Sequence, residues 1–328
     1  MGRMPVLQSS FFSASDLDSA EPVRCALVGA GAFGSCLLGQ AQMLSRRLTV
    51  PVICDTNVPM VLDVMRELGE EPPTVCDNHA AAQSALSAGE TVLVGDVELL
   101  KGLPVDIVVV ATGIPTVDAE VAFHAIAERK HVCMVSKEAE SVAGPILGKL
   151  ARDAGVVCTL VDGDQPSLLV GLLDWCSVLG LEVVCAGKSG EGDYTVDLAK
   201  ETVNGRPCPG LGALWDIGAD DNVAHIVAER SRLVGEALGR TVPRRTEADL
   251  GEMGVIANHT GLLPDQESLH LPLCRTLEVP RLFCPKGDGG LLDSRCLDVF
   301  AQMHLDGEPR FAGGVFAVVR GAFCPPFH

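Results

Sequence analysis

Residues 28–34 have the sequence Val-Gly-Ala-Gly-Ala-Phe-Gly, directly after a short apolar run and directly before a helical stretch that continues to about residue 47. The spacing G-x-G-x-x-G is typical of the turn that binds a dinucleotide diphosphate. Gly29 allows the tight turn, Gly31 lets the backbone approach the diphosphate, and Gly34 lets the helix pack against the strand. The first N–H groups of the helix then face the anion. The alternative is a strand-to-helix turn without a ligand.

Two further positions support a cofactor site. Asp55 directly follows the next apolar run, 50–54. At this position an acidic side chain accepts hydrogen bonds from the adenosine ribose. It also repels a 2′-phosphate, which favours NAD over NADP. The alternative is a solvated loop acid. Thr112-Gly113 follows the β-branched run 105–111 and is expected on the nicotinamide side, or else is an ordinary turn. The predicted cofactor-binding residues are Gly29, Gly31, Ala32, Phe33, Gly34, Asp55, Thr112, Gly113 and Lys137.

The first half of the chain alternates between strand and helix patterns, which predicts an α/β fold with a doubly wound parallel sheet of the Rossmann type. Predicted strands lie at 24–28, 50–54, 105–111, 131–135 and 156–161, and predicted helices at 59–68, 79–88, 96–101, 117–129 and 138–154. We therefore expect a flexible arm at 1–22 and a dinucleotide-binding domain at 23–161.

From residue 162 the pattern changes to a C-terminal α+β substrate or catalytic domain, 162–328. A helix at 166–179 leads into a strand at 182–186 that is expected to end at Gly187-Lys188-Ser189-Gly190. Further predicted elements are helices at 223–238 and 248–256 and a strand at 315–319.

Composition limits the function classes. The chain of 328 residues carries 43 acidic and 25 basic residues, a net charge of −18 that repels nucleic acid and anionic membranes. An anionic substrate therefore needs a local cluster of arginine and lysine. The 13 cysteines include no C-x-x-C pair and suit a reducing compartment, and no leader or membrane span is recognised. We expect a soluble, cytoplasmic homo-oligomer whose partner is a small molecule.

Catalytic candidates cluster after three predicted strands. These clusters are Ser136-Lys137-Glu138, Asp162-Gly163-Asp164-Gln165 and Gly187-Lys188-Ser189, all expected on the carboxyl edge of one sheet. Hydride transfer at a carbinol needs an acid/base and a cation, and a lysine near carboxylates supplies either. Lys188 is the first candidate and Lys137 its competitor, although each is also compatible with a surface lysine.

The acidic residues of these clusters allow several interpretations. Asp162 and Asp164 could position the lysine, bind a metal or cap the following helix. Glu138, Asp164 and Glu252, together with Asp162, could hold Mg²⁺ or Mn²⁺, although no zinc spacing is present. His259 is a further acid/base candidate. The basic residues Arg206, Arg230, Arg232, Arg244 and Arg245 either bind a phosphate or carboxylate or are solvated charge.

The order of motifs resembles the homoserine-dehydrogenase-type NAD(P)-binding superfamily, within it the 1-deoxy-D-xylulose 5-phosphate reductoisomerase-like branch, whose members often carry a SAF-type C-terminal part. The resemblance rests on Gly29–Gly34, Glu138-Ala139, Gly163-Asp164-Gln165-Pro166, Asp174-Trp175, Ala186-Gly187-Lys188, Glu252 with Ala257-Asn258-His259-Thr260-Gly261-Leu262, Gly289-Gly290-Leu291-Leu292 and Gly313-Gly314-Val315-Phe316. It implies NAD(P)H-linked chemistry on a small polyol, sugar acid or sugar phosphate.

The active-site positions that the resemblance implies are Glu138, Asp164, Lys188, Glu252 and Asn258. Three features depart from the family: His259 replaces its usual alanine, the segment after Lys188 is short, and the chain stops soon after residue 316, which suggests a C-terminal truncation.

Three functional hypotheses follow from these observations. The first is a dehydrogenase or reductoisomerase acting on a CH–OH group. The second is a non-catalytic nucleotide-binding sensor or scaffold derived from that family. The third is an isomerase that shuttles a hydride without net redox change.

Overall fold

The computed structural model describes residues 21–44, 47–218 and 221–321, and the predicted arm at 1–22 lies almost entirely outside these ranges. The described residues group into two compact units that meet in sequence between Val161 and Asp162. The whole is an α/β protein, with a parallel sheet in the first unit and a mixed sheet in the second.

The first unit contains seven strands and five α-helices among its described residues. The strands are β1 Val23–Val28, β2 Leu48–Cys54, β3 Thr74–Cys76, β4 Val92–Val94, β5 Ile107–Val110, β6 His131–Met134 and β7 Cys158–Leu160. The helices are α1 Ala32–Met43, α2 Val58–Glu67, α3 His79–Ser87, α4 Pro115–Ala127 and α5 Lys137–Ala154, and Val97–Leu100 is a 3-10 turn.

All pairings in the first sheet are parallel, in the order β3-β4-β2-β1-β5-β6-β7. The order runs outward in both directions from β1, which is the doubly wound Rossmann arrangement. Its two faces are covered by separate apolar clusters, so the central strands are buried on both sides. The predicted fold of this half is confirmed, although β3 and β4, of three residues each, are too short for their pattern to be recognised.

The second unit has six strands and four α-helices among its described residues. The strands are β8 Glu182–Asp197, β9 Thr202–Val203, β10 Arg206–Pro207, β11 Leu273–Cys274, β12 Cys296–Leu305 and β13 Val315–Arg320. The helices are α6 Gln165–Val178, α7 Val223–Leu238, α8 Leu250–Thr260 and α9 Val279–Leu282. Its 3-10 turns are Leu211–Leu214, Arg245–Ala248, Thr276–Glu278 and Lys286–Asp288.

The second sheet has the order β10-β9-β8-β12-β11, with β13 beside β8. Strand β8 runs parallel to β12 and antiparallel to β13, so its first half is paired along both edges. The prediction that this strand ends at Ala186 was wrong. The ladder continues because Gly187 lacks a Cβ, whose position would collide with the carbonyl oxygen of Asp298 on β12.

Helix starts follow ordinary capping chemistry. Side chains at the position before the helix accept a backbone N–H of the first turn in α2, α3, α5, α6 and α7, from Asn57, Asn78, Ser136, Asp164 and Asn222. Helix α1 ends at Met43, earlier than the predicted limit near residue 47. Within the described ranges, every helix is too short or too polar to cross a membrane.

Candidate functional site

The glycine turn after β1 has two glycines that packing requires and one that it does not. Gly29 has φ +92°, and a Cβ there would lie less than 3.0 Å from the carbonyl oxygen of Ala111. A Cβ on Gly34 would be equally close to the carbonyl oxygen of Gly29. At Gly31, by contrast, no atom of the described residues lies within 4 Å of the Cβ position. Gly31 therefore borders open space at the start of α1.

The start of α1 offers unpaired backbone donors. Gly31 occupies the N-cap position of α1 and has no side chain that could accept a hydrogen bond from the helix. The first turn of α1 contains no acidic residue. Ala32 and Phe33 are exposed. The first N–H groups of an α-helix have no partner within the helix, and in the described part of the chain neither a cap side chain nor a first-turn acid pairs with them here. An anion can therefore bind at this terminus.

Asp55 lies directly beside this turn. Its Oδ2 accepts the N–H of Ala30 at 2.8 Å, and its Oδ1 accepts the N–H of Asn57 at 2.7 Å. Each carboxylate oxygen keeps a lone pair for a further donor. Asp55 is half-buried and joins the end of β2 to the glycine turn, where a ribose hydroxyl would need an acceptor.

The Thr112-Gly113 turn is held by a residue that the sequence analysis missed. The Thr112 hydroxyl donates to Asp118 Oδ1 at 2.6 Å, and the Thr112 N–H donates to the same oxygen at 3.2 Å. Asp118, in the first turn of α4, is fully buried, and its Oδ2 has no hydrogen-bond partner in the described residues. An acidic residue six positions after the threonine was the available signal.

Lys137 and Glu138 begin α5, directly after β6. Lys137 is half-buried and Glu138 is exposed. Because β1, β2, β5 and β6 are parallel, the turns that follow them lie at one carboxyl edge. The structure thus places all the first-unit candidates at this edge, as the sequence pattern predicts.

Lys188 does not share that edge. It lies inside β8, in the second sheet, where it pairs with Val299 on one side and Val315 on the other. The prediction that Lys188 ends a strand of the same sheet as the glycine turn was wrong. Because the chain keeps an extended ladder through this position, the lysine is buried in the second unit instead of standing at a strand end.

Lys188 forms a buried charged cluster. Its ammonium donates to the carboxylate of Glu252, and neither side chain has exposed surface. Asp249 Oδ2 lies 3.7 Å from the Lys188 Nζ, and Gln165 Oε1 lies 3.3 Å away. The Gln165 amide in turn donates to the carbonyl of Gly313 at 3.0 Å. A cation and two carboxylates are thus held together in a site where removing one partner leaves an uncompensated charge.

The structure joins some of the predicted second-unit residues and separates others. Lys188 and Glu252 are in direct contact, but Asp164 caps α6 through the N–H of Gln165, as the alternative interpretation holds. Asn258 and His259 are exposed near the end of α8. Gln165 belongs to a candidate cluster but was given no role of its own, and Asp249 was not predicted; the signal for Asp249 was an acid three residues before Glu252.

Metal ligands were predicted among Glu138, Asp162, Asp164 and Glu252. In the described part of the chain, one group of three ligand atoms within 4.8 Å of one another is present, formed by Glu98, Glu120 and His124. It contains none of the predicted residues. Two of its members are exposed, and Glu98 also pairs with Lys101 at 2.6 Å.

Arg230, one of the predicted anion-binding residues, has a structural role. Its guanidinium binds both carboxylate oxygens of Glu278, at 2.7 and 2.8 Å, and the carbonyls of Leu214 and Trp215. The side chain is fully buried. Because four of its five N–H donors are used and the side chain is fully buried, Arg230 is not available to a substrate.

A second buried acid, Asp298 on β12, organises the loop before β11. It accepts the backbone N–H groups of His270, Leu271 and Val299 at 2.9 to 3.2 Å, and the His270 Nδ1 lies 2.6 Å away. The hydrogen bond to Asp298 raises the pKa of His270. Leu269 and Leu271 both have positive φ, +60° and +44°, which only a firmly anchored loop sustains.

Comparison with known proteins gives one family match. Residues 246–322 match the model of the catalytic domain of oxidoreductase DRL. This segment contains Asp249, Glu252, His270 and Asp298. No curated protein matches the chain.

Several solved structures are similar at low identity. A DOX-P reductoisomerase with fosmidomycin and magnesium is 16% identical, with a TM-score of 0.42 over 74% of this chain and 58% of that one. The 1-deoxy-D-xylulose 5-phosphate reductoisomerase from Zymomonas mobilis in complex with NADPH is also 16% identical, with a TM-score of 0.41 over 72% and 58%. The WlbA dehydrogenase from Bordetella pertussis, in complex with NADH and UDP-GlcNAcA, is 18% identical, with a TM-score of 0.34 over 54% and 49%.

This chain therefore spans 58% of the length of the first two of these structures. The family match covers a quarter of the chain, all of it in the second unit. Over residues 246–322 the chain is similar to an oxidoreductase catalytic domain, which confirms the oxidoreductase resemblance of its sequence motifs.

Proposed function

We propose that this protein is a nicotinamide-dependent oxidoreductase that acts on a CH–OH group of a small polyol, sugar acid or sugar phosphate. The observation that carries the proposal is the turn at Gly31. There, open space, helix N–H groups without a side-chain cap and the Asp55 carboxylate lie together after the first strand of a doubly wound sheet. These features suit the diphosphate and ribose of a dinucleotide.

In this proposal the first unit binds the cofactor. The N–H groups of Ala32, Phe33 and Gly34 bind the diphosphate, and Asp55 binds the ribose hydroxyls. Asp55 also favours NAD over NADP, because its carboxylate repels a 2′-phosphate. Thr112-Gly113, fixed by Asp118, and Lys137 complete the site on the nicotinamide side.

The second unit supplies the proton chemistry in this proposal. A nicotinamide held at Thr112-Gly113 and Lys137 would supply hydride transfer at the carbon that carries the hydroxyl group. Lys188 holds the substrate oxygen and moves the hydroxyl proton, and Glu252 balances its charge. Asp249 and Gln165 hold the lysine in position. Glu138, Asp164 and Asn258 contribute as the resemblance implies.

The proposal is tested by following NADH absorbance with a panel of polyols, sugar acids and sugar phosphates. We expect Lys188→Ala to abolish turnover and to leave NADH affinity nearly unchanged. Lys149→Ala is the matched control, because this lysine is exposed on α5 and pairs with the exposed Asp153. Full activity in Lys188→Ala would refute the assignment of the catalytic lysine.

The cofactor preference has its own variant. Asp55→Ala should weaken NADH binding by about tenfold, the effect of losing a hydrogen bond to a charged acceptor, and should weaken NADPH binding less. Fluorescence titration of both cofactors measures this difference. Equal losses for NADH and NADPH would contradict the role given to Asp55.

The burial of Lys188 and Glu252 favours a second candidate, a sensor or scaffold that binds the nucleotide without turnover. Saturable NADH binding without turnover of any compound in the panel would support it. An isomerase would instead convert a substrate without any net change in NADH.

A further inference from the structure

The second unit contains a cavity of 260 Å³ beside the C-terminal half of β12. Its walls come from 275–277, 302–304 and 308–311. We propose that this cavity binds a small organic anion, a carboxylate or a phosphate ester, through Arg275 and Arg310. This site goes beyond the proposed oxidoreductase function and is separate from Lys188.

The separation from Lys188 follows from the alternation of side chains along a strand. Lys188 pairs with Val299, so these two side chains lie on one face of the sheet. Phe300 follows Val299 directly on the same strand, so its side chain lies on the opposite face of the sheet. There its ring stacks with that of Phe311, which lines the cavity, with 6.2 Å between the ring centroids.

The floor of the cavity consists of polar side chains that are fixed in place. Gln302 is only 2% exposed, and its amide nitrogen donates to the Thr276 hydroxyl at 3.1 Å and to the Pro309 carbonyl at 3.2 Å. Its amide oxygen accepts the N–H of Phe311 at 2.6 Å. The Gln302 amide thus connects Thr276 and the segment 309–311 to β12. The cavity is formed in advance, which lowers the entropic cost of binding.

His304 lies beside Gln302 and is 4% exposed. Its Nδ1 lies 2.8 Å from the Leu305 carbonyl oxygen and is therefore a donor. Its Nε2 lies 3.4 Å from both the Thr195 hydroxyl and Asp193 Oδ2. The His304 imidazole and the Gln302 amide are thus both held in place by hydrogen bonds within the protein.

Arg275 is oriented for binding but is not saturated. Its guanidinium stacks on the Trp215 ring at 4.9 Å, and its Nη1 donates to Asp216 at 2.6 Å. Glu308 lies 3.9 Å from its Nη2, which is too far for a hydrogen bond. Its Nε and Nη2 have no hydrogen-bond partner among the residues the structure describes. A planar guanidinium held in this way binds an oxyanion through its remaining donors.

Arg310 supplies the second cation, at the more exposed side of the cavity. Its side chain is 69% exposed, and its Nε lies 3.3 Å from Asp193 Oδ2. Glu308 is the one acidic residue among those that line the cavity. Arg275 and Arg310 are the two arginines that line the cavity, and the donors that they do not use on Asp216 and Asp193 are the ones available to an anion. The volume is below the range of about 300–1,000 Å³ that is usual for ligand pockets, so the ligand is small.

The test uses the full chain and two separate calorimetric titrations, one with inorganic phosphate and one with succinate. We expect saturable binding of at least one anion; the titration that saturates identifies the phosphate or the carboxylate class. Arg310→Gln and Arg275→Gln should each weaken it by roughly tenfold to hundredfold, the range for hydrogen bonds to a charged group. Arg66→Gln is the control, because Arg66 is exposed in the first unit and pairs with Asp63.

Arg310→Gln keeps the test decisive if loss of the Trp215 contact unfolds Arg275→Gln, since Arg310 is largely exposed. Absence of saturable binding with both anions would overturn the proposal. Unchanged affinity in Arg310→Gln would also overturn it, as would an equal loss in Arg66→Gln. NADH affinity should be the same in the wild type and in both cavity variants, so this result is independent of the proposed oxidoreductase function.

Discussion

The two sheets of this protein use their central strands differently. In the first sheet, β1, β2 and β5 bury valine, leucine, isoleucine and other apolar side chains, and the candidate site lies in the turns at the strand ends. In the second sheet, β8 and β12 bury Lys188, Asp298, Gln302 and His304 within the strands. In the proposed function, the first sheet thus contributes its turns, whereas the second contributes buried side chains and their partners from distant segments.

This contrast predicts different sensitivities to substitution. A parallel sheet with an apolar core tolerates change in its turns as long as backbone sterics are respected. A sheet with buried charge does not, because each charge depends on one partner from another segment. The substitutions below test the close packing of the turns in the first sheet and the buried charges in the second, beginning with the largest expected effect.

Lys188→Met should lower the free energy of unfolding by about 3–5 kcal/mol, because it leaves the Glu252 carboxylate buried without its cation. The double variant Lys188→Met/Glu252→Met should lose clearly less, since neither charge then remains. Urea unfolding of the two single variants and the double variant gives the coupling energy. Lys149→Met, at an exposed position, should stay within about 0.5 kcal/mol of the wild type. Additive losses in the double variant would contradict the interpretation of the pair as a buried unit.

Gly29→Ala tests whether the turn after β1 depends on close backbone packing. Gly29 and Gly69 both have positive φ, but only at Gly29 would a Cβ collide with backbone, at Ala111. Gly69→Ala should cost about 1 kcal/mol for the left-handed conformation alone. Gly29→Ala should cost about 1–3 kcal/mol more, because the turn must move away from β5. Thermal or urea unfolding measures both, and equal costs would show that the turn is not tightly packed.

His270 gives the second sheet a contribution to stability that depends on pH. The hydrogen bond to Asp298 raises its pKa in the folded state, with Asp265 contributing in the same direction and Lys286 against it. The stabilisation is therefore complete below the unfolded pKa of about 6.5 and is lost as the pH rises through the higher folded value.

The corresponding measurement is the slope of unfolding free energy against pH, from about pH 6 upward. His270→Gln should flatten the slope, whereas His225→Gln, at an exposed position on α7, should leave it unchanged. A wild-type slope in His270→Gln would contradict the contribution of the Asp298 contact.

The sequence allowed more to be predicted in the first unit than in the second for a physical reason. The signals of the first unit are local in sequence. The turn with Gly29, Gly31 and Gly34, the helix that follows it and the acid Asp55 are all recognisable within one short segment. The partners of Lys188 are separated in sequence: Glu252 is 64 residues away, and Gln165 comes from the preceding helix. No local periodicity encodes such a contact.

Strand β12 was not predicted for a related reason. Asp298, Gln302 and His304 interrupt its apolar pattern, and their burial becomes understandable only when the loop residues that they bind are known. Likewise, the sequence predicts that β8 ends before Gly187, because a glycine usually marks a turn. Here that glycine allows close contact with a neighbouring strand.

The central claim, that the glycine turn binds a dinucleotide, is tested most directly by titrating NADH into the wild type and into Gly31→Glu. Because the Cβ position of Gly31 borders open space, the variant should fold with a stability within about 1 kcal/mol of the wild type. Its carboxylate would stand where the diphosphate binds, so we expect NADH affinity to fall by about a hundredfold or more, through lost helix N–H contacts and charge repulsion. Wild-type NADH affinity in a folded Gly31→Glu variant would contradict the claim.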